Sequence, residues 1–406
     1  MKYLILVPDG CGDRPVPSLD GRTPLEAADV RYIDAFAQIG EVGLCRTIPE
    51  GSSPGSEAGN LSILGYDPRV YLTGRAPFEA AAAGIPMGEK DVAFRASLVT
   101  LEGGGPYENL VMKDHSAGEI GNEEAGILMG FIDANLGSGG LRFHPGVSYR
   151  GLMVGDSIDA GNIMEPHNIL GRTIGGYLPD GRIRELMIKS YGLLNNHPLN
   201  LKRVSRGHPP ANAIWLWGQG KRLDLPPLEK KYGVKGCMVA AVNLLKGIGR
   251  CAGMACPEIP GATGTLDTNY EGKAAAAVHS FENGYDFVFI HVEAPDECSH
   301  TGDLEGKIKS LEHIDRRIFK PVSGYLANAG GPYRMLILPD HMTPMEIRTH
   351  SGEPAPFVLF DSRLKNPADA TKSFSEASGK TGRFFGSGGD MADYFFGVKD
   401  KDDGRG

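Results

Sequence analysis

Asp296-Glu-Cys-Ser-His300 sets a carboxylate and an imidazole four residues apart, and Pro339-Asp340-His341 sets a second such pair side by side, with His350 nine residues further on. Mixed donors of this kind suit a divalent cation: Mn²⁺ and Zn²⁺ accept carboxylate with imidazole, whereas Mg²⁺ prefers oxygen. Asp9, after the first apolar run of the chain, adds another carboxylate and makes enough donors for two ions. Two ions a few ångström apart are a recurrent device for clamping a phosphoryl group during in-line displacement. Taken singly, an Asp-His pair at a strand end is more often a capping device than a ligand pair. Taken together, the donors point to a two-metal centre.

Such a centre needs a nucleophile, and Pro54-Gly-Ser-Glu-Ala-Gly-Asn-Leu-Ser62 offers Ser56. The small residues let backbone approach a charged group, and a helix starting here would aim its N-terminus at an anion. A serine hydroxyl is a poor nucleophile until a neighbouring dication lowers its pKa. The plainer alternative is that Ser56 only caps the helix.

Three short, apolar, β-branched runs would position these groups: Tyr3 to Val7 before Asp9, Phe287 to Ile290 before His291 and Asp296, and Met335 to Leu338 before Asp340. They read as buried strands, and polar groups at the C-terminal ends of parallel strands are where open α/β sheets place their sites. The runs lie at opposite ends of the chain, so one core is interrupted by an insertion. Residues 1–92 and 233–398 are expected to form that discontinuous core. The Gly- and Pro-rich residues 93–232 are expected to form a lid, and 399–406 a disordered tail. Apolar spacing of three and four predicts helices over Met238 to Gly249 and Gly272 to Phe281.

With 406 residues, 41% of them apolar, the chain can bury a large core. It carries 42 basic against 50 acidic residues, a net charge of -8. That balance argues against nucleic acid or an anionic membrane and for a small-molecule partner. The opening run is too short for a signal peptide and ends on an acid, and no stretch of about 18 apolar residues could span a bilayer. Six dispersed cysteines without a C-x-x-C pair read as free thiols of a cytoplasmic protein. Cys11 and Cys298 stand close to the acids above, but as packed small hydrophobes rather than reactive groups.

Ordered along nearly the whole chain, these motifs resemble the archaeal-type cofactor-independent phosphoglycerate mutases of the alkaline phosphatase superfamily. The resemblance is carried by Asp9-Gly-Cys-Gly-Asp-Arg-Pro15, Pro54 to Ser62 running into Leu64-Gly-Tyr-Asp-Pro68, Gly74-Arg75 with Phe78-Glu-Ala80, and Ala93-Phe-Arg95. It continues through Gly261-Ala-Thr-Gly264, Asp267-Thr-Asn269, Asp296 with His300, Pro339-Asp-His341 and His350-Ser351. It implies an α/β fold: an alkaline-phosphatase-like core, a β-sheet sandwiched by helices, with an inserted α+β lid. It also implies two divalent ions, Mn²⁺ first with Mg²⁺ or Zn²⁺ as alternatives. One would sit on Asp296, His300 and His350, the other on Asp9, Ser56, Asp340 and His341. Arg75, Arg95 and Lys235 match positions expected to meet substrate phosphate and carboxylate. The implied reaction carries a phosphoryl group from 3-phosphoglycerate to Ser56 and back onto the 2-hydroxyl.

One stretch departs from the family pattern. Where archaeal members carry an Arg-Ala-Gly-Arg motif, this chain has Asp114-His-Ser-Ala-Gly-Glu-Ile120. Arginine clamps a carboxylate bidentately and an acid repels it, so Ser116 and Glu119 open the question of substrate, with His115 a partial substitute. A homoserine kinase-like phosphotransferase on the same site is the alternative, followed by a metal-dependent phosphatase. No P-loop or kinase catalytic loop is present to hold a nucleotide.

Overall fold

The computed structural model describes residues 1–156, 158, 161 and 163–398, and the tail 399–406 lies outside them. The strands, in chain order, are β1 (Lys2–Pro8), β2 (Glu41–Cys45), β3 (Asp91–Glu102), β4 (Val111–Asp114), β5 (Arg142–His144), β6 (Arg150–Asp156), β7 (Ala213–Lys221), β8 (Gly236–Val239), β9 (Phe287–Val292), β10 (Tyr333–Ile337), β11 (Ala355–Asp361) and β12 (Arg383–Phe385). The chain divides into two compact units, Met1–Leu72 with Asp224–Gly406, and Thr73–Leu223.

The first unit is built on a seven-stranded sheet of order β12-β2-β11-β10-β1-β9-β8. β1 runs parallel to both neighbours, with Leu6 opposite Ile290 and Ile337, and β8 runs parallel to β9. Every residue of β9 and β10 is buried, as continuous apolar runs covered on both faces require. Leu4, Leu6, Val288, Ile290, Met335 and Ile337 pack against Tyr270, Ala277, Phe281, Ile314 and Ile318 of the helices on one face. Tyr3 of the opposite face meets Phe395 and Phe396. Each fully buried side chain of this size contributes about 1.5–3 kcal/mol, so the central strands are the most firmly held part of the unit. One helical run, Leu304 to Asn328, widens into a π-helical turn at Ile314–Phe319. Pro321 follows at once; it lacks an N–H and its ring would collide with the carbonyl four residues back, which loosens the turn before it.

Met238 and Val239 fall in β8 rather than in the helix expected over Met238 to Gly249, which starts only at Asn243. Parallel pairing with β9 overrides the local helical spacing. The second expected helix spans Tyr270–Glu282.

The second unit is an antiparallel sheet of order β4-β3-β6-β5, with β7 also paired to β3. The twelve-residue β3 reaches all three neighbours because its first part pairs β7 and its last residues pair β4. Helices Asn122–Leu136 and Gly181–Leu194 bury Leu128, Met129, Ile132, Ile183 and Met187 against Phe94, Leu98, Trp215 and neighbouring sheet residues.

Candidate metal centre and active site

β1, β9 and β10 end at the same edge of the first sheet, so the residues that follow them converge. Asp9 hydrogen-bonds through its N–H to Val292 O, at the end of β9. Asp296 and His300 lie one turn apart on the helix Ala294–Thr301, which Gly302 stops in the left-handed region. Their side chains meet at 3.0 Å, and His350 Nε2 is 3.0 Å from His300 Nε2 and 3.6 Å from Asp296 Oδ1. His341 Nε2 is 3.4 Å from Asp9 Oδ1 and 3.8 Å from Asp340 Oδ2. Donor atoms of Asp296, His300 and His350 lie within 4.8 Å of one another, as do those of Asp9, Asp296 and His341, and those of Asp9, His291 and Asp340. The six ligand candidates besides Ser56 therefore form one continuous cluster.

Ser56 is the first residue of the helix Ser56–Ile63, whose N-cap is Gly55. The hydroxyl does not cap the helix. Its Oγ faces His341 Nε2 at 3.2 Å. Two glycines permit the approach. A Cβ on Gly59 would stand 2.2 Å from Asp340 O, and one on Gly10, at φ +58, would stand 2.5 Å from both Asp296 Oδ1 and Thr343 Oγ1. Asn60 on the same helix donates to Asp340 Oδ2 at 2.6 Å, and Thr343 donates to Asp296 Oδ1 at 2.5 Å.

The residues fit a cation. Asp9 Oδ1 and Asp340 Oδ1 are buried and have no hydrogen-bond partner among the described residues. Two carboxylates within 5 Å repel by about 3–4 kcal/mol at an effective dielectric constant near 20. Burial, together with the charges of Asp340 and Asp296, pushes the Asp9 carboxyl well above the usual range. Burial also opposes ionisation of Asp340 and Asp296, but the histidines around them outweigh it and hold both low. The hydrogen bond to Asp296 raises His300 to about 9. A divalent ion would relieve the repulsion and satisfy the orphaned oxygens together.

The proposed cation contacts separate by unit. Lys235 does not join the cluster: it precedes β8, at the opposite end of the parallel strands, with Nζ 4.5 Å over the Tyr285 ring. In the second unit Arg95 is 12% exposed, 3.2 Å from Glu79 and 4.2 Å over Trp217. Burial lowers its pKa, and Arg75 and Arg150 lower it further. His115 packs on Tyr149 and on His167, which in turn meets Trp217 at 5.9 Å, and Arg150 lies over Tyr149. The departing stretch is held from within: Asp114 accepts from the N–H groups of Ser116 and Gly118, and Ala117, Gly118 and Glu119 all take positive φ. Arg203 is buried and donates to Ala117 O, Pro209 O and Glu124.

Sequence reasoning placed His291 at a strand end without giving it a role, and missed Asn60 and Thr343 in the first unit and Arg150, His167 and Trp217 in the second. His291 had a signal, being a histidine inside an apolar strand beside two others that end on acids. Cys11 and Cys298 are buried free thiols, and burial pushes Cys298 up to about 11, so neither is a ready nucleophile. Among the described residues no helix is long and apolar enough to cross a membrane.

A model of 2,3-bisphosphoglycerate-independent phosphoglycerate mutase matches residues 37–200. The protein of that name from Methanothrix thermoacetophila is 46% identical over 388 residues, covering 95% of this chain and 96% of its own. That from Methanosarcina barkeri is 45% identical, covering 94% and 96%. A solved protein from Pyrococcus horikoshii is similar with a TM-score of 0.80 at 29% identity, over 100% of this chain and 99% of its own. The cofactor-independent phosphoglycerate mutase from Thermoplasma acidophilum follows at 0.65 and 26%, over 97% and 98%. The α/β class read from the sequence is the class found, and with such identity over nearly full length the chain belongs to the 2,3-bisphosphoglycerate-independent phosphoglycerate mutase family.

Proposed function

We propose that the chain is an isomerase that interconverts 3-phosphoglycerate and 2-phosphoglycerate through a phosphoserine at Ser56, without added bisphosphoglycerate, as a cytoplasmic enzyme of glycolysis. The observation that carries this reading is Ser56 Oγ, at a helix N-terminus and 3.2 Å from His341, beside two buried carboxylates, Asp9 and Asp340, each with one oxygen that lacks a hydrogen-bond partner among the described residues. Asp296, His300 and His350 would hold one cation and Asp9, Ser56, Asp340 and His341 the other. When bound, two divalent ions, Mn²⁺ with Mg²⁺ or Zn²⁺ as alternatives, neutralise phosphoryl oxygens and lower the pKa of the serine hydroxyl.

Ser56 Oγ attacks phosphorus as the bond to the 3-oxygen breaks, leaving phosphoserine and glycerate. The glycerate 2-hydroxyl then attacks the same phosphorus, and the Ser56 oxygen leaves. The positive end of the helix Ser56–Ile63 favours the anionic group in both steps. Arg95 and Arg75, with His115 in support, would take the substrate carboxylate, and the insertion read from the sequence over residues 93–232 would serve as the lid that keeps water from the phosphoserine. Most of the catalysis is positioning and electrostatics.

The test is conversion of 3-phosphoglycerate by metal-stripped protein reloaded with Mn²⁺, with no bisphosphoglycerate, beside Ser56→Ala. Turnover requiring both Mn²⁺ and Ser56 is the expected result. Folded, metal-loaded protein that leaves 3-phosphoglycerate unchanged overturns the mutase reading and makes homoserine the next acceptor to try.

A further inference from the structure

Behind Asp9 and Asp340 lies a chain of buried polar groups that the reaction above does not use. His291 is fully buried, its Nε2 3.6 Å from Asp9 Oδ2 and 3.5 Å from Asp340 Oδ2. Its Nδ1 lies 3.3 Å from Glu293 Oε1, off the line of a good hydrogen bond and with no other partner among the described residues. Glu293 in turn is paired with Lys273 at 2.9 Å, and Lys273 also donates to His291 O at 2.8 Å. Both Lys273 and Glu293 are buried.

We infer that His291 Nε2 is a ligand of the cation held by Asp9 and Asp340, with Glu293 and Lys273 as positioning residues that fix its tautomer and ring orientation. The inference rests on the two-metal reading above. Donors sharing one ion at about 2.1 Å stand roughly 3.0–3.6 Å apart in four- or five-coordinate arrays, and the 3.6 and 3.5 Å from His291 to the two carboxylates fall in that range and are long for a direct hydrogen bond. A ligating histidine ordinarily gives its other ring nitrogen to a carboxylate, and Glu293 Oε1 stands 3.3 Å from Nδ1 on that side. The competing role is a protonated His291 that merely offsets the two acids. Asn60 Nδ2 also lies 3.4 Å from His291 Nε2, and the 3.6 and 3.5 Å to Asp9 and Asp340 are longer than a protonated imidazole paired with either carboxylate would take. That role also predicts a different result, a change in stability without a change in metal affinity.

The experiment is a titration of metal-stripped full-length protein with Co²⁺, reading stoichiometry, the two dissociation constants and the visible absorption of the bound ion. Asp340→Ala identifies the step that belongs to the inner ion. His291→Ala is expected to weaken that step by about 100-fold or more and alter its absorption, leaving the other step unchanged. Glu293→Gln is expected to weaken it by about tenfold. Thermal melting of each metal-stripped variant reports folding; if His291→Ala does not fold, His291→Gln carries the same test. Two ions bound by folded His291→Ala or His291→Gln with wild-type affinities and spectrum overturn the inference while leaving the two-metal reading intact. A wild-type chain that binds no Co²⁺ or Mn²⁺ overturns both.

Discussion

The two units treat charge in opposite ways. The first buries Asp9, Asp13, Lys273, His291, Glu293, Asp296, Lys307, Asp315, Asp340 and His341, whereas the second, among the described residues, buries one charged side chain, Arg203. Buried charge is costly unless paired, and much of it in the first unit is paired: Lys307 meets Asp13 at 2.7 Å and Lys273 meets Glu293. What is left over is an excess of carboxylates at the ends of β1 and β10. The second unit keeps an apolar interior and gathers Arg95, Arg150, His115 and His167 on aromatic rings at one face. One arrangement leaves negative charge uncompensated, and the other gathers positive charge.

Asp9→Asn tests the contrast most severely. With metal it should lower turnover by about 10³-fold or more, because a ligand and its charge are gone. Without metal it should melt above the wild type, because one of two repelling buried carboxylates is neutral. A metal-free variant that melts lower would break the account of the first unit as a site loaded for cations. A smaller effect follows from the ions alone. At a concentration 100 times its dissociation constant an ion stabilises the fold by about 2.7 kcal/mol, and amide exchange should slow in β1, β9 and β10 but not in β3 or β6. Equal slowing in both units would erase the contrast. In the second unit, Arg95→Ala should lower kcat/KM for 3-phosphoglycerate by about 30-fold, roughly 2 kcal/mol, with Co²⁺ affinity unchanged. Arg95→Lys should restore only part, since an ammonium lacks the planar fork. A loss of metal binding in Arg95→Ala would show that the two charge systems are not separate.

The same contrast explains what could be read in advance. Asp9 and Asp340 were legible because an acid just past a buried apolar strand has few structural excuses, and the helix placed Asp296 and His300 by spacing alone. His291 sat in the same pattern but inside its strand, where a histidine passes for a satisfied core residue. Met238 was misread because three-and-four spacing over a short run cannot announce a parallel partner fifty residues away. In the second unit, Arg150, His167 and Trp217 come from separate strands and loops, and no spacing along the chain brings them to Arg95. Pairing of β3 with β6 and β7 does that for Arg150 and Trp217, and His167 meets Trp217 from the short turn Pro166–Ile169.

Asp315 separates the cost of buried charge from the use of it. It lies in the π-helical turn of the first unit, away from the cluster, and accepts the N–H groups of Ile33 at 2.8 Å and Tyr32 at 3.3 Å. Among the described residues no cation pairs with it. Burial raises its pKa to about 6, against the pull of the two backbone N–H groups, and the charges of Asp34 and Asp29 add to the rise. Its unfolded value lies near 4. Between those limits the folded chain holds a proton that the unfolded chain has released, so this contribution is fully present below about pH 4 and is lost as pH rises through about 6. Asp315→Asn keeps an acceptor for Ile33 and cannot ionise. Urea unfolding of the metal-stripped protein at intervals from pH 4 to 7 should therefore show a shallower decline in the variant, by about 1 kcal/mol across the window. The carboxylates at the strand ends titrate in both proteins and cancel in the difference. Parallel curves would mean that the Ile33 and Tyr32 N–H groups already stabilise the charged form fully, and that the first unit can absorb an unpaired buried carboxylate without help from a cation.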